Sequence, residues 1–302
     1  MPELPEVQTT VDGLNRFVKG LSIKDVWTCY ESSYHKGKDN IKDPVFFKRF
    51  KSLVVGQKIL RARRRAKNIL IDLSNNHSIL VHMKMTGHIL YGTYVQNKKK
   101  EWEPETKEGP LRDPFNKHIR LLFTLSNGKH LALSDMRKFA KVTVLSQLEA
   151  EKTLHLKDIG PEPLEENFSL QDFKERLLLR QNGKVKQVLM DPKVVAGIGN
   201  IYSDEMLWRA GIHPERRVKD ISKSEFGILY KAMKATLLRG IDFGGDSMSD
   251  YRNLLGERGK FQEKHEAYRR TSQKCRKSGC KGVIRRKKVG GRSAHFCDTH
   301  QK

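Results

Sequence analysis

Apolar positions in the first twenty residues recur three and four apart. Leu4, Val7, Val11, Leu14 and Val18 fall on one face, and Gln8, Asp12, Asn15, Arg16 and Lys19 on the other. This period predicts an amphipathic helix whose apolar stripe docks on a core. Pro5 suits its first turn and Gly20 its end. From about Ile23 to Val144 the pattern changes to short apolar runs between turns: Ile69–Leu73, Ile79–Met83, Ile119–Phe123, Leu131–Leu133 and Lys141–Val144. Their number and spacing predict strands of an antiparallel sandwich. Gln96 to Lys117, rich in Lys, Glu and Pro, breaks the pattern and reads as a mobile surface loop.

After Leu148 the period turns helical, with Leu170, Phe173 and Leu177 on one face and Phe226, Leu229, Met233 and Leu237 on another. Ser222 and Glu225 form a capping box, and Gly240 is expected to follow that helix's last turn. Between these helices, Val194 to Tyr202 reads as an apolar segment, a Gly197-Ile198-Gly199 turn and a helix start, where bare amides suit a phosphate. The fold class is therefore α+β, with three expected regions: a β-sandwich over residues 1–147, a helical domain over 148–265 and a small hairpin over 266–302. No internal repeat is evident.

Composition narrows the partners. The 302 residues carry 59 Lys+Arg against 35 Asp+Glu, a net charge of +24, and such a chain seeks polyanions. Nucleic acid is the expected partner, and 37% apolar content is enough for real cores. No apolar run approaches the ~18 residues of a membrane span. The N-terminus is too polar for a signal peptide, so a cytoplasmic protein is expected.

Three of four cysteines crowd the last 28 residues, too few for a disulfide scaffold. Cys275-x4-Cys280-x16-Cys297-x2-His300 presents two ligand pairs around a segment long enough for a β-hairpin. Four S/N ligands predict one closed, structural Zn2+ site. His295, two residues before Cys297, is expected to point away from it along a strand, and Cys29 reads as a buried apolar residue. Arg285, Arg286, Lys287, Lys288 and Arg292 lie between the ligand pairs, so a metal-stapled hairpin would carry cations suited to phosphates or a groove.

The other chemical signal is the start, Met1-Pro2-Glu3-Leu4-Pro5-Glu6-Val7. Aminopeptidases trim Met before small residues, and Pro2 qualifies, which leaves a secondary amine at a fixed helix terminus. An α-amino group titrates near ~7.7 to 8.0, and the helix dipole lowers it further. Such an amine attacks an aldehyde-like carbon to give a cationic iminium, which acidifies the neighbouring carbon. Glu3 and Glu6 place carboxylates within one turn for acid/base work.

Pro2 to Val7, Arg64-Arg65-Ala66-Lys67, His82-x-x-Met85-Thr86-Gly87, Gly160-Pro161-Glu162-Pro163-Leu164, Gly197 to Tyr202 and the terminal Cys/His hairpin follow one another in order. Together they resemble the bacterial formamidopyrimidine-DNA glycosylases, across nearly the whole chain. The resemblance implies a monomeric two-domain clamp on double-stranded DNA containing oxidised bases or abasic sites, with a helix-two-turn-helix region and a zinc finger, in the nucleoid of a bacterium.

The resemblance also implies roles. Pro2 attacks C1′, Glu3 moves protons, and Glu6 supports the site. Lys67 reaches the lesion and Arg292 grips its phosphate to complete the catalytic group. Met85, Arg137 and Phe139 fill the gap left by a flipped base. Lys186, Asn200 and Tyr202 contact DNA, and the glycine-rich segment from Gly244 to Phe261 caps the lesion as a mobile lid. On pattern alone Lys67 reads as a solvated strand edge and Met85 and Phe139 as core.

Departures are Lys84 in place of a glycine, Met136-Arg137-Lys138-Phe139-Ala140 in place of Pro-Arg-Arg-Phe-Gly, Ser249 in place of a basic residue and His300 in place of a cysteine. Two readings compete with this one: an endonuclease VIII-like enzyme for oxidised pyrimidines, and a non-catalytic zinc-bearing protein that binds DNA lesions. An RNA-associated basic protein is disfavoured by the lack of aromatic stacking motifs.

Overall fold

The amphipathic stripe forms the helix its spacing predicts. In the computed structural model, which describes residues 1–148, 150, 153 and 156–302, α1 spans Leu4–Phe17 and buries Leu4, Val7, Val11 and Leu14. Gly20, at φ +88°, turns the chain after it and donates its amide to the Ile59 carbonyl at 2.8 Å. The chain divides into two units, Met1–Lys157 with Gly244–Lys260 and Asp158–Phe243 with Phe261–Lys302.

The first unit is an antiparallel sandwich. Its strands are β1 (Ile23–Thr28), β2 (Ile59–Arg65), β3 (Asn68–Leu73), β4 (His77–His82), β5 (His88–Gly92), β6 (Tyr94–Gln96), β7 (Trp102–Pro104), β8 (Ile119–Leu125), β9 (His130–Ser134) and β10 (Lys141–Ser146). Helix α2 spans Pro44–Val54. One sheet has the order β1-β8-β9-β5 and the other β10-β4-β3-β2. All five runs read as strands lie in these sheets, and Ile69, Ile71, Ile79, Val81, Leu121, Phe123, Leu131, Leu133 and Val142 meet α1 and α2 in one core. Strand β2 at the sheet edge carries Arg61, Arg63, Arg64 and Arg65, which disfavour edge-to-edge pairing.

The segment expected to be a mobile loop is ordered. Strands β6 and β7 pair, short 3-10 turns follow at Pro110–Arg112 and Pro114–Lys117, and Asn116 is buried. The cause is the outer face of the first sheet. Leu90, Ile119, Leu122 and Ala132 alternate outward there, and Tyr94, Trp102 and Leu111 cover them.

The second unit holds α3 (Leu170–Leu178), α4 (Val185–Leu189), α5 (Asn200–Ala210), α6 (Lys223–Asp242) and the hairpin of β11 (Ile284–Val289) with β12 (Arg292–Cys297). The Ser222/Glu225 box starts α6, and Phe226, Leu229, Met233 and Leu237 are buried as read. Helix α6 runs two residues past Gly240, which is buried in the core, and ends before left-handed Gly244. Phe173 and Leu177 are buried on α3, whereas Leu170 in its first turn is exposed.

Helix α5 carries an interior carboxylate for the chain that follows α6. Glu205 accepts from the amides of Glu266, Ala267 and Tyr268 at 2.8, 2.9 and 2.8 Å. Burial raises its pKa. Among the described residues no helix is long and apolar enough to cross a membrane.

Candidate active site and metal centre

Within the first unit, α1 presents its own start as the site. Pro2 is buried, Glu3 is the N-cap residue, and Glu3 and Glu6 are 3% and 2% exposed. Glu6 links two segments. One carboxylate oxygen accepts the Glu3 amide at 2.7 Å, and the other accepts the Asp246 amide at 2.7 Å. Gly245 passes so close to Glu6, at φ +83°, that a Cβ there would lie 2.8 Å from Glu6 Cγ.

Residues Gly244–Lys260 thus pack with the sandwich, not with the helices they follow. Tyr251 donates its hydroxyl to the Glu6 carbonyl at 3.0 Å, and Arg252 pairs with Asp113 at 2.9 Å. The Tyr91 amide meets the Leu254 carbonyl at 2.7 Å. These anchors seat the segment on the sandwich beside Glu6. Exposed tips remain at Met248 and Ser249.

Lys67 sits in the two-residue turn between β2 and β3, where left-handed Ala66 takes the first position as a type II′ hairpin requires. The pattern-only reading as a strand edge therefore gives way to a hairpin tip. Arg64 braces this turn against α1, donating to Gln8 at 2.9 Å and to the Ala66 carbonyl at 3.3 Å. The helix carrying Pro2 and the turn carrying Lys67 are held as one piece.

Met85 lies in the loop from β4 to β5, and Arg137 and Phe139 in the loop from β9 to β10. Both loops cross between the sheets at one end of the sandwich, since β5 pairs with β9 and β4 with β10. Met85 is 39% and Phe139 49% exposed, so the core reading of both is corrected. The Arg137 guanidinium stacks 4.6 Å from the Phe139 ring centroid. Sequence reasoning missed the buried Asp135 beneath them; the only local signal was a carboxylate closing the apolar run of β9.

In the second unit, Asn200 begins α5 after left-handed Gly197, and the N-cap is Gly199, which has no side chain to offer the helix. Arg292 is exposed beside Gly290 and Gly291, whose φ values of +57° and +78° make the tight turn of β11 and β12. Lys186 and Tyr202, expected to touch DNA, are both fully buried. The Lys186 ammonium bonds Asp204 and, at 3.0 Å, the Ser293 carbonyl, and Tyr202 stacks on Phe261 with centroids 4.9 Å apart. In this arrangement the Lys186 ammonium joins α4 to Asp204 and Ser293, and the Tyr202 ring packs on Phe261, so both brace the interior of the second unit.

The four expected metal ligands converge. Cys275, Cys280, Cys297 and His300 bring their ligand atoms within 4.8 Å of one another. The Cys280 and Cys297 sulfurs are 3.6 Å apart, and the Cys275 sulfur lies 3.4 Å from His300 Nδ1. A zinc tetrahedron with Zn–S near 2.3 Å has edges of roughly 3.7 Å, so the donor set fits. His300 Nε2 faces the Trp208 carbonyl at 3.0 Å, leaving Nδ1 toward the sulfurs.

His295 shares a strand face with Cys297, since residues two apart on a strand point the same way, contrary to the expectation above. It stays out of the ligand set because Asp204 takes its Nδ1 at 3.0 Å. Cys29 is exposed, not buried, because it follows the end of β1.

Known proteins share this arrangement. Residues 1–142 match the family model of the formamidopyrimidine-DNA glycosylase N-terminal domain, and residues 159–252 that of the H2TH domain of the same enzymes. A formamidopyrimidine-DNA glycosylase from Pelotomaculum thermopropionicum is 35% identical, over 100% of this chain and 99% of its own. Its namesake from Bacillus subtilis is 35% identical over 98% of both chains. The Lactococcus lactis enzyme in complex with DNA containing an abasic site superposes with a TM-score of 0.82 at 30% identity, over 99% of each chain. A point mutant of that enzyme with DNA containing Fapy-dG superposes with the same TM-score, 0.82, at 30% identity over 100% of each chain. With both halves of the chain matched and the identity sustained from end to end, the protein belongs to the formamidopyrimidine-DNA glycosylase family.

Proposed function

We propose that this protein is a bifunctional DNA glycosylase and abasic-site lyase that excises oxidised purines, 8-oxoguanine and formamidopyrimidines, from duplex DNA in cytoplasmic base excision repair. The observation that carries the reading is the buried start of α1, where Glu6 fixes the Glu3 amide beside Pro2. Met1 is 44% exposed and open to an aminopeptidase, whose cut frees the Pro2 amine.

The Pro2 nitrogen attacks C1′ of the flipped nucleotide, and the C1′–N bond breaks as the base leaves with its electron pair and gains a proton. Sugar-ring opening gives an iminium between Pro2 and C1′. Loss of a C2′ proton then expels the 3′-phosphate, and a second elimination expels the 5′-phosphate. Glu3 moves these protons, Glu6 holds Glu3 in place, and Lys67 meets the lesion from the β2–β3 turn. Met85, Arg137 and Phe139 fill the vacated stack, Arg137 pairing with the orphaned base. Asn200 and Arg292 grip flanking phosphates. Zinc is the metal for the Cys3His site, where it staples a hairpin too small for a core of its own.

Borohydride trapping tests this on two duplexes, one with 8-oxoguanine opposite cytosine and one with an abasic site. An adduct on both, mapped to Pro2 and lost in Pro2→Gly, is the expected result. An adduct on the abasic duplex alone moves the substrate to oxidised pyrimidines, and none on either leaves a protein that only binds lesions. Glu3→Gln should bind duplex but not turn over.

A further inference from the structure

The two loops carrying Met85 and Arg137–Phe139 share one buried anchor. Asp135 is fully enclosed. One of its carboxylate oxygens accepts the Thr86 hydroxyl at 2.6 Å. The other accepts the Tyr30 hydroxyl at 2.8 Å and the Ala140 amide at 2.8 Å. Thr86 in turn accepts the Arg137 amide at 3.1 Å, which closes a ring from one loop to the other.

Lys42, 4% exposed, adds a second clamp by donating to the Lys138 carbonyl at 2.6 Å, with its ammonium 5.0 Å from the Tyr30 ring centroid. The clamp falls where it is needed. Lys138 sits between Arg137 and Phe139 at φ +57°, a conformation that an L-residue holds only under external constraint. Lys84, before Met85, is equally left-handed at φ +56°, and its amide donates to His82 Nδ1 at 3.0 Å. None of Asp135, Tyr30, Thr86 or Lys42 reaches the surface where a base would be met, so their effect passes through the tips they hold.

We propose that Asp135, with Tyr30, Thr86 and Lys42, is a positioning network that locks the Met85 and Arg137–Phe139 tips into one preorganised wedge, so that insertion into the duplex precedes base excision without reordering of either loop. This rests on the reading above that those tips are the wedge. Buried hydrogen bonds aimed at a single carboxylate give two loops one geometry, which neither loop specifies alone.

The test uses full-length protein and a duplex with 2-aminopurine beside the lesion, whose fluorescence rises as the wedge enters. Tyr30→Phe removes one bond to Asp135, and Thr86→Val removes both the bond to Asp135 and the one accepted from the Arg137 amide, with little change of volume. Tyr30→Phe should slow insertion about tenfold, the loss of one hydrogen bond of ordinary worth, and Thr86→Val should slow it at least as much. Trapping on a single-stranded abasic oligonucleotide, which needs no wedge, provides the reference for folded enzyme. Thr86→Ser should restore the parent rate, which a merely structural role at this position would not require.

The double variant Arg137→Ala/Phe139→Ala separates the two layers of the reasoning. If it inserts at the parent rate, the wedge reading fails and the network falls with it. If it is slow while Thr86→Val and Tyr30→Phe stay within about twofold of the parent, the network alone is overturned.

Discussion

Replacing Lys186 by Met separates a phosphate contact from a buried strut. Lys186 and Asp204 are each 0% exposed and joined as an ion pair. Removing one partner of such a pair costs about 3–5 kcal/mol, because a charge stays buried without its counter-ion. Asp204 would keep the His295 amide at 2.9 Å and His295 Nδ1 at 3.0 Å. These donors place the loss at the lower end, about 3 kcal/mol. At about 2–4 °C per kcal/mol, the melting temperature should fall by about 10 °C.

The assay pairs thermal unfolding with the salt dependence of duplex binding. A lysine on a phosphate contributes about 0.9 to the slope of log K against log salt. Lys186→Met should leave that slope unchanged while melting early, and Arg292→Met, on an exposed hairpin tip, should do the reverse. A Lys186→Met protein that melts like the parent but loses about one unit of slope would refute the buried-strut reasoning.

Gly245→Ala places a methyl 2.8 Å from Glu6 Cγ and 3.0 Å from Glu6 Oε1, at a left-handed backbone position, and so must displace the carboxylate that holds Glu3. Single-turnover excision should fall more than about tenfold with duplex affinity retained, and a normal rate would count against Glu6 as the link. Metal analysis should find about one zinc per chain, kept in His300→Cys and lost in His300→Ala, with duplex affinity falling as zinc is stripped; full affinity in the metal-free protein would sink the stapled-hairpin reading. Burial holds His82 and His88 neutral, their pKa values lowered to about 3 and about 4. The unfolded chain takes up these protons below about pH 6.5, so their contribution to stability is complete above that pH and declines as pH falls toward 4. The urea midpoint should drop between pH 7 and 5, and a drop undiminished in His88→Gln would remove His88 as a cause.

Much of the fold was legible because periodicity reports burial directly. The α1 stripe, the five apolar runs and the α6 stripe each became the element their spacing predicts. The metal quartet was legible for a different reason: few other arrangements account for three cysteines and a histidine in one short basic segment. The cover over the outer face of the first sheet was not, because Tyr94, Trp102 and Leu111 are three apolar residues scattered among lysines and glutamates. No window over that segment shows a period. Only the exposed face of a sheet it does not belong to creates the need for it.

Charged residues mark the sharper boundary. Lys186, Glu205, Asp135 and Lys42 look in the sequence like any of the chain's many surface charges, yet each is at most 4% exposed. What distinguishes them is the set of partners that the fold brings from far along the chain, such as Tyr30 to Asp135 across 105 positions. The same logic explains how the chain tolerates its departures at the tips. A lysine at φ +56° or +57°, where glycine would be relaxed, costs about 1–2 kcal/mol. The bonds from Lys84 to His82 and from Lys42 to the Lys138 carbonyl are the means of offsetting that cost. It follows that glycine at Lys84 would relieve strain yet widen the conformations open to Met85. Lys84→Gly should therefore raise the melting temperature or leave it unchanged while slowing wedge insertion, and a lower melting temperature with unchanged insertion would separate tip geometry from function.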